Sequence, residues 1–131
     1  MIEHPNALLL HHCLQAANAG DRQTLEALWT DDIVWHVKGR GPWQGELKGA
    51  DAIFEFLASV GDVAPMGCFT EIEDVLISQE RAVVLCRARS DRSERSLDAR
   101  VLVITTIEDR RIREVVTVPI DPERAEAFWA G

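Results

Sequence analysis

Two hydrophobic periods divide the chain. From Pro5 to Gly20, Leu10, Cys13, Leu14 and Ala17 recur three and four residues apart, the spacing of one helical face. Proline is pre-set for a first turn, and glycine supplies the left-handed residue that ends a helix. Asp21 then caps a second helix on which Leu25, Leu28 and Trp29 share a face, and Thr30-Asp31-Asp32 breaks it. Ile33 to Val37 alternates as a short strand. Ile53, Phe56, Leu57 and Val60 line a third helix, which Gly61 and Pro65 stop. After Cys68 the period falls to two. Strands are expected over roughly Phe69–Gln79, Ala82–Ser90, Leu97–Ile107 and Ile112–Val118, joined by short polar turns. Pro119 ends this meander. Asp121-Pro122-Glu123 starts a last short helix carrying Phe128 and Trp129, with an N-cap, an N1 proline and an acid at the positive end of the dipole.

The order predicts an α+β fold: three N-terminal helices around one strand, then a curved, mostly antiparallel sheet of four more, with a short C-terminal helix. Residues 1–131 read as one domain without linker, repeat or low-complexity tract. Ala-Val-Val-Leu-Cys-Arg-Ala from Ala82 and Val-Leu-Val-Ile-Thr-Thr-Ile from Val101 are apolar on both faces, whereas a strand with one wet face alternates. The second face is therefore expected to be covered, and a homodimer through the outer sheet face is the expected cover.

Composition narrows the partners. A net charge of −8, from 14 basic and 22 acidic residues, argues against sequence-independent nucleic-acid binding and against anionic membrane surfaces. No run has the length of a membrane span, and the N-terminal residues lack a basic stretch followed by a small-residue cleavage site, so a cytoplasmic location is expected. Cys13, Cys68 and Cys86 are odd in number without CxxC spacing, which points to reduced, buried residues. Adjacent His11 and His12 diverge by about 100° on a helix, so no metal is expected. Without GxGxxG or a P-loop, no nucleotide cofactor is expected either.

The candidate chemistry gathers between Asp31 and Leu57. Gly39, Gly41, Gly45 and Gly49, with Trp35 and Trp43 on either side of the turn, make a strand, a glycine-rich loop and a helix; this reads as the mouth of a pocket for a small, mostly apolar molecule. His36 is the candidate acid–base group, since imidazole titrates near neutral pH. Strand parity opposes it: if Val37 points inward, Ile33 and Trp35 do too, and His36 points away unless the loop twists it. Trp35 and Trp43 serve equally as ligand-stacking walls or core packing. Arg87 and Arg89 share a face and either anchor a carboxylate or enolate or pair with acids such as Glu71 and Glu73; Arg100 carries the same ambiguity. Glu46 reads as a loop carboxylate, acid–base or merely solvated.

Helix, Asn18-Ala19-Gly20-Asp21, helix, Asp31-Asp32, strand, a loop with Gly45 and Gly49, helix and a four-strand meander together resemble the nuclear-transport-factor-two-like superfamily, and within it the SnoaL-like group. Ketosteroid isomerases and limonene epoxide hydrolases are cousins. The resemblance implies a bent sheet wrapping the helices into a cone whose open end is the ligand pocket. The isomerases use a tyrosine, an aspartate base and a protonated aspartate; these positions fall at Cys13, Val37 and near Val103, so that mechanism is missing. The epoxide hydrolases' arginine matches Arg87, but their neighbouring acid reads as Arg89 and their late-strand base falls near Thr117. What the resemblance leaves is the SnoaL-like assortment of aldol cyclases and hydroxylases, in which a single acid or base in a pocket suffices, so cofactor-free aldol cyclisation or isomerisation is the expected chemistry. The expected ligand is a small hydrophobic carbonyl compound bound by Cys13, Trp35, Trp43, Phe54, Arg87, Arg89 and Thr117. His36 is the expected catalytic residue, and no cofactor is expected. A non-catalytic binding module and a ligand-free dimerising domain remain the rival readings.

Overall fold

The computed structural model describes residues 4–38, 45–63, 68–92 and 94–130, so Trp43 and Pro65 lie outside the described residues. Helix α1 (Pro5–Ala19) starts where the His4 ring accepts the Asn6 N–H, and it ends at Gly20, whose φ of 68° lets its N–H reach back to Ala16 and Ala17. Asp21 accepts the Thr24 N–H to start α2 (Arg22–Leu28). Two amides fasten α1 to the sheet: Asn6, 6% exposed, donates to the Ser78 and Gln79 carbonyls, and Asn18 donates to Thr70 O.

The sheet has six strands: β1 (Trp29–Val37), β2 (Gly45–Lys48), β3 (Cys68–Ile77), β4 (Arg81–Arg92), β5 (Arg95–Glu108) and β6 (Arg111–Pro119). Their order is β2-β1-β6-β5-β4-β3, all antiparallel except β1 beside β6. Helix α3 (Ala50–Val63) follows β2, and α4 (Pro122–Trp129) is capped by Asp121 as its sequence predicts. The α+β class, the helix order and the meander agree with the sequence reading.

Three local expectations are corrected. Trp29 opens β1 instead of closing α2, because its backbone pairs opposite Ile112 while its side chain, 5% exposed, stays in the core. Thr30-Asp31-Asp32 therefore lies inside the strand, at a register shift against β6. Gly45–Lys48, expected as loop, forms β2, since Trp35 and Leu47 pair across the two strands. Gly61 does not stop α3, which runs through it to Val63; a single glycine costs a helix only about 1 kcal/mol, which packing overrides.

The core lies between the helices and the inner sheet face. Ile33 and Ile53 are fully buried, and Leu10, Cys13, Ala82, Val84, Cys86 and Val115 join them. Alternation along β4 and β5 turns Ala82, Val84 and Cys86 inward and Val83, Leu85 and Arg87 outward, opposite Ile104, Leu102 and Arg100. No helix among the described residues is long and apolar enough to cross a membrane.

Candidate ligand-binding cavity

The helices do not fill the inner face of the sheet. Between them remains a cavity of about 850 Å³, within the size range of small-molecule sites. Helix α1 contributes Leu10 and Cys13, α3 contributes Phe54 and Phe56, and the sheet contributes Trp35, Val37, Val103 and Thr117. Trp29 stacks on Phe54 with centroids 5.1 Å apart, and Trp35 meets Phe56 edge-on at 6.0 Å, so the aromatic wall is rigid.

Polar groups on this wall are few. The Trp35 Nε1–H donates to the Thr117 hydroxyl at 2.6 Å, joining strands that register pairing already sets side by side. An indole nitrogen only donates, so Thr117 is the acceptor and retains its own O–H proton. No acceptor for that proton is found among the described residues, and Thr117 lines the cavity. The Thr105 hydroxyl is spent on Ala82 O at 2.9 Å. Burial pushes the Cys13 thiol up to about 12; burial, with a smaller push from the Glu73 charge, takes Cys86 to about 11. Both are neutral thiols at physiological pH and poor nucleophiles. Among the described lining residues there is no histidine, aspartate, glutamate or tyrosine.

The structure brings Cys13, Trp35, Phe54 and Thr117 together around this one space. It also places Val37 and Val103 on the wall, where the resemblance to the isomerases set the catalytic acids, so those positions are cavity positions holding apolar side chains. His36, Arg87 and Arg89 are not lining residues. His36 lies on the outer face, its Nε2 3.1 Å from Glu114 and its Nδ1 3.6 Å from Glu46, because β1 stays regular to Val37 and parity turns it away. A ligand in the cavity cannot reach its ring. Arg87 forms a two-point pair with Asp98 at 2.6 Å, Arg89 meets Glu71 at 3.2 Å and Arg100 meets Glu73 at 2.7 Å, all across the outer face. The Arg87 guanidinium holds the Asp98 carboxyl below the usual aspartate range, and Arg100 does the same for Glu73.

Lining residues that sequence reasoning passed over are Lys38, Arg22 and Cys86. The alternation Ala82-Val84-Cys86 carried the signal for the thiol. Arg22 bonds Glu26 one turn on in α2, but it also sits 4.3 Å from the Phe54 ring and bonds Asp51, contacts with α3 that local patterning does not reveal. Among the described residues no group of three or more His, Cys, Asp or Glu side chains is placed to hold a metal ion.

A six-stranded bent sheet cradling N-terminal helices around an apolar hollow defines the nuclear-transport-factor-two-like fold, shared with a protein of that class from Burkholderia pseudomallei. Residues 10–115 match the SnoaL-like domain, and the chain belongs to that family. It is 27% identical over 123 residues to the uncharacterised protein Rv0034 of Mycobacterium tuberculosis, covering 93% of this chain and 94% of that one. Among solved structures, Bal32a from a soil-derived mobile gene cassette superposes with a TM-score of 0.90 at 25% identity, covering 95% of this chain and 96% of Bal32a. IdmH, a candidate polyketide cyclase from Streptomyces antibioticus, gives 0.75 at 18% identity over 90% of this chain and 93% of its own, a likeness of fold alone.

Proposed function

We propose that this SnoaL-like protein binds a small hydrophobic carbonyl compound in the cavity, the carbonyl oxygen accepting a hydrogen bond from the Thr117 hydroxyl. The observation that carries the reading is the Trp35–Thr117 pair, a donor polarised by the indole N–H and held against a mostly apolar wall. With no histidine, carboxylate or tyrosine among the described lining residues, any reaction would draw on positioning, exclusion of water and the Thr117 donor. Those suffice for aldol closure of a reactive polycarbonyl chain, where correct folding supplies much of the barrier reduction and a donor steadies the developing oxyanion. The kinship with a candidate polyketide cyclase supports that chemistry. Storage without reaction is the second reading, favoured by the neutral thiols and by His36 lying on the other side of the sheet.

The same proposal includes a homodimer through the outer sheet face. Leu85, Leu102, Ile104, Val116 and Val118 form its half-exposed apolar centre, and Arg87, Arg89 and Arg100 beside it are already neutralised within the chain.

A matched pair of ligands tests the cavity: 9-fluorenone and fluorene, which differ only in the carbonyl, titrated against indole fluorescence. Fluorenone is expected to bind about fivefold tighter, the value of one modest hydrogen bond. Failure of both to bind would overturn the proposal.

A further inference from the structure

We infer that the ligand is an acid: an apolar, ring-bearing carboxylate whose anionic end lies between the Lys38 ammonium and the Thr117 hydroxyl. This rests on the cavity reading above and narrows it to a charge class.

Three cationic residues are among those bordering the cavity, Arg22, Lys38 and Arg100, the last with its guanidinium turned to the outer face, and no carboxylate borders it among the described residues. Their situations differ. Arg22 is neutralised by Glu26 at 3.0 Å and Asp51 at 3.1 Å, and Arg100 by Glu73 at 2.7 Å. Lys38 has no ion pair among the described residues, although the chain carries 22 acidic side chains against 14 basic ones. Lys38, exposed just beyond the end of β1, is thus the bordering cation without an ion pair among the described residues.

Its neighbour is the free hydroxyl proton. Val37 is the register partner of Thr117, and the Lys38 N–H donates to the Thr117 carbonyl at 3.0 Å, so the two residues meet at one end of the cavity. Lys38 and Thr117, one with a charged donor and one with a neutral donor and neither with an acceptor for it among the described residues, border a mostly apolar space. A neutral ketone satisfies one of them. A carboxylate, with two oxygens and about four lone-pair sites, satisfies both while its ring system lies against Trp35 and Phe54. The ammonium is exposed, so its contribution to affinity is modest and screened by salt.

The test uses 2-naphthoate and methyl 2-naphthoate, ionised and neutral versions of one ring system at pH 7, titrated against indole fluorescence in low and physiological salt. The acid is expected to bind about fivefold tighter than the ester at low salt, the preference shrinking as salt rises. Lys38→Met, which keeps the stem and removes the charge, is expected to bring acid and ester to within about twofold of each other. Lys48→Met, on β2 and paired with Glu46 at 3.5 Å, serves as control and should retain the preference. Equal affinities in the unaltered protein, or a preference that survives Lys38→Met, would overturn the inference and leave the cavity reading standing. Absence of binding by both compounds would overturn the two together.

Discussion

Replacing Thr117 with valine tests the cavity's chemistry with the least change of shape. Valine matches threonine in outline, so the wall keeps its volume, but it takes away the acceptor of the 2.6 Å bond from Trp35 Nε1 and an unspent hydroxyl proton on the wall. A net protein hydrogen bond contributes about 1 kcal/mol, and an orphaned donor sealed from water costs about 1–3. Trp35 is half-buried and faces a cavity with room for water, which sets the cost near the lower figure. For a domain of this length that lowers the thermal midpoint by about 4 °C. Binding should respond differently for the two test ligands. Fluorenone loses its partner and weakens about fivefold, while fluorene, which never used the hydroxyl, binds as before or slightly tighter. Thermal melts by circular dichroism and indole-fluorescence titrations measure the two quantities independently. A melt that falls as expected while fluorenone and fluorene weaken in parallel would show that the hydroxyl only braces Trp35, and the reasoning about a ligand oxygen would fail.

Further outcomes follow from the same geometry. Val103→Trp, projecting an indole from mid-sheet into the empty space, should abolish binding of both fluorenone and fluorene, with a midpoint unchanged or raised; undiminished binding would place the ligand elsewhere. Leu102→Glu puts a charge at the centre of the outer apolar face and should convert a dimer into a folded monomer by sedimentation velocity, whereas a monomeric unaltered protein at micromolar concentration would refute the dimer. The carboxyls of Asp98 and Glu73 are depressed by Arg87 and Arg100, so the stability they contribute is present above their ordinary range near pH 4 and is lost as pH falls through their lowered values; melts of Arg87→Met should show a shallower acid-side decline. Cys13 and Cys86 run the opposite way. Their raised values mean full stability below the ordinary thiol range near pH 8.5, lost as pH climbs toward 11 and 12, and slow alkylation in the native state at pH 8 would report it.

Much of this architecture was legible in the residue pattern because its signals are local. Pro5 and Gly20 bound α1, Asp121 caps α4, and period-two runs mark the meander. What escaped depends on partners distant in sequence. Leu25, Leu28 and Trp29 fit a helical face, and only pairing with Ile112 draws Trp29 into a strand. Gly45-Glu46-Leu47-Lys48 has a single apolar residue, too little to announce β2 without β1 beside it. At the site, parity alone was enough to turn His36 outward, and the regular strand to Val37 gives it no twist with which to return. The arginines of β4 could not be assigned from spacing, since pairing Arg87 with Asp98 requires knowing which strands lie side by side. The Thr117 position came from kinship; its bond to Trp35 came only from the fold.

The lone parallel pairing in the sheet also governs when the molecule can finish folding. Trp35 and Thr117 are 82 positions apart, and β2 attaches to the rest of the sheet only through β1. On the ribosome, the β3–β4–β5 meander can zip up by neighbouring hairpins as it emerges and β1 can pair with β2, but that pair has no edge of the larger sheet to dock on until β6 has been made. A nascent chain therefore holds its first strand, and the tryptophan on it, away from the main sheet until some eighty further residues have been made.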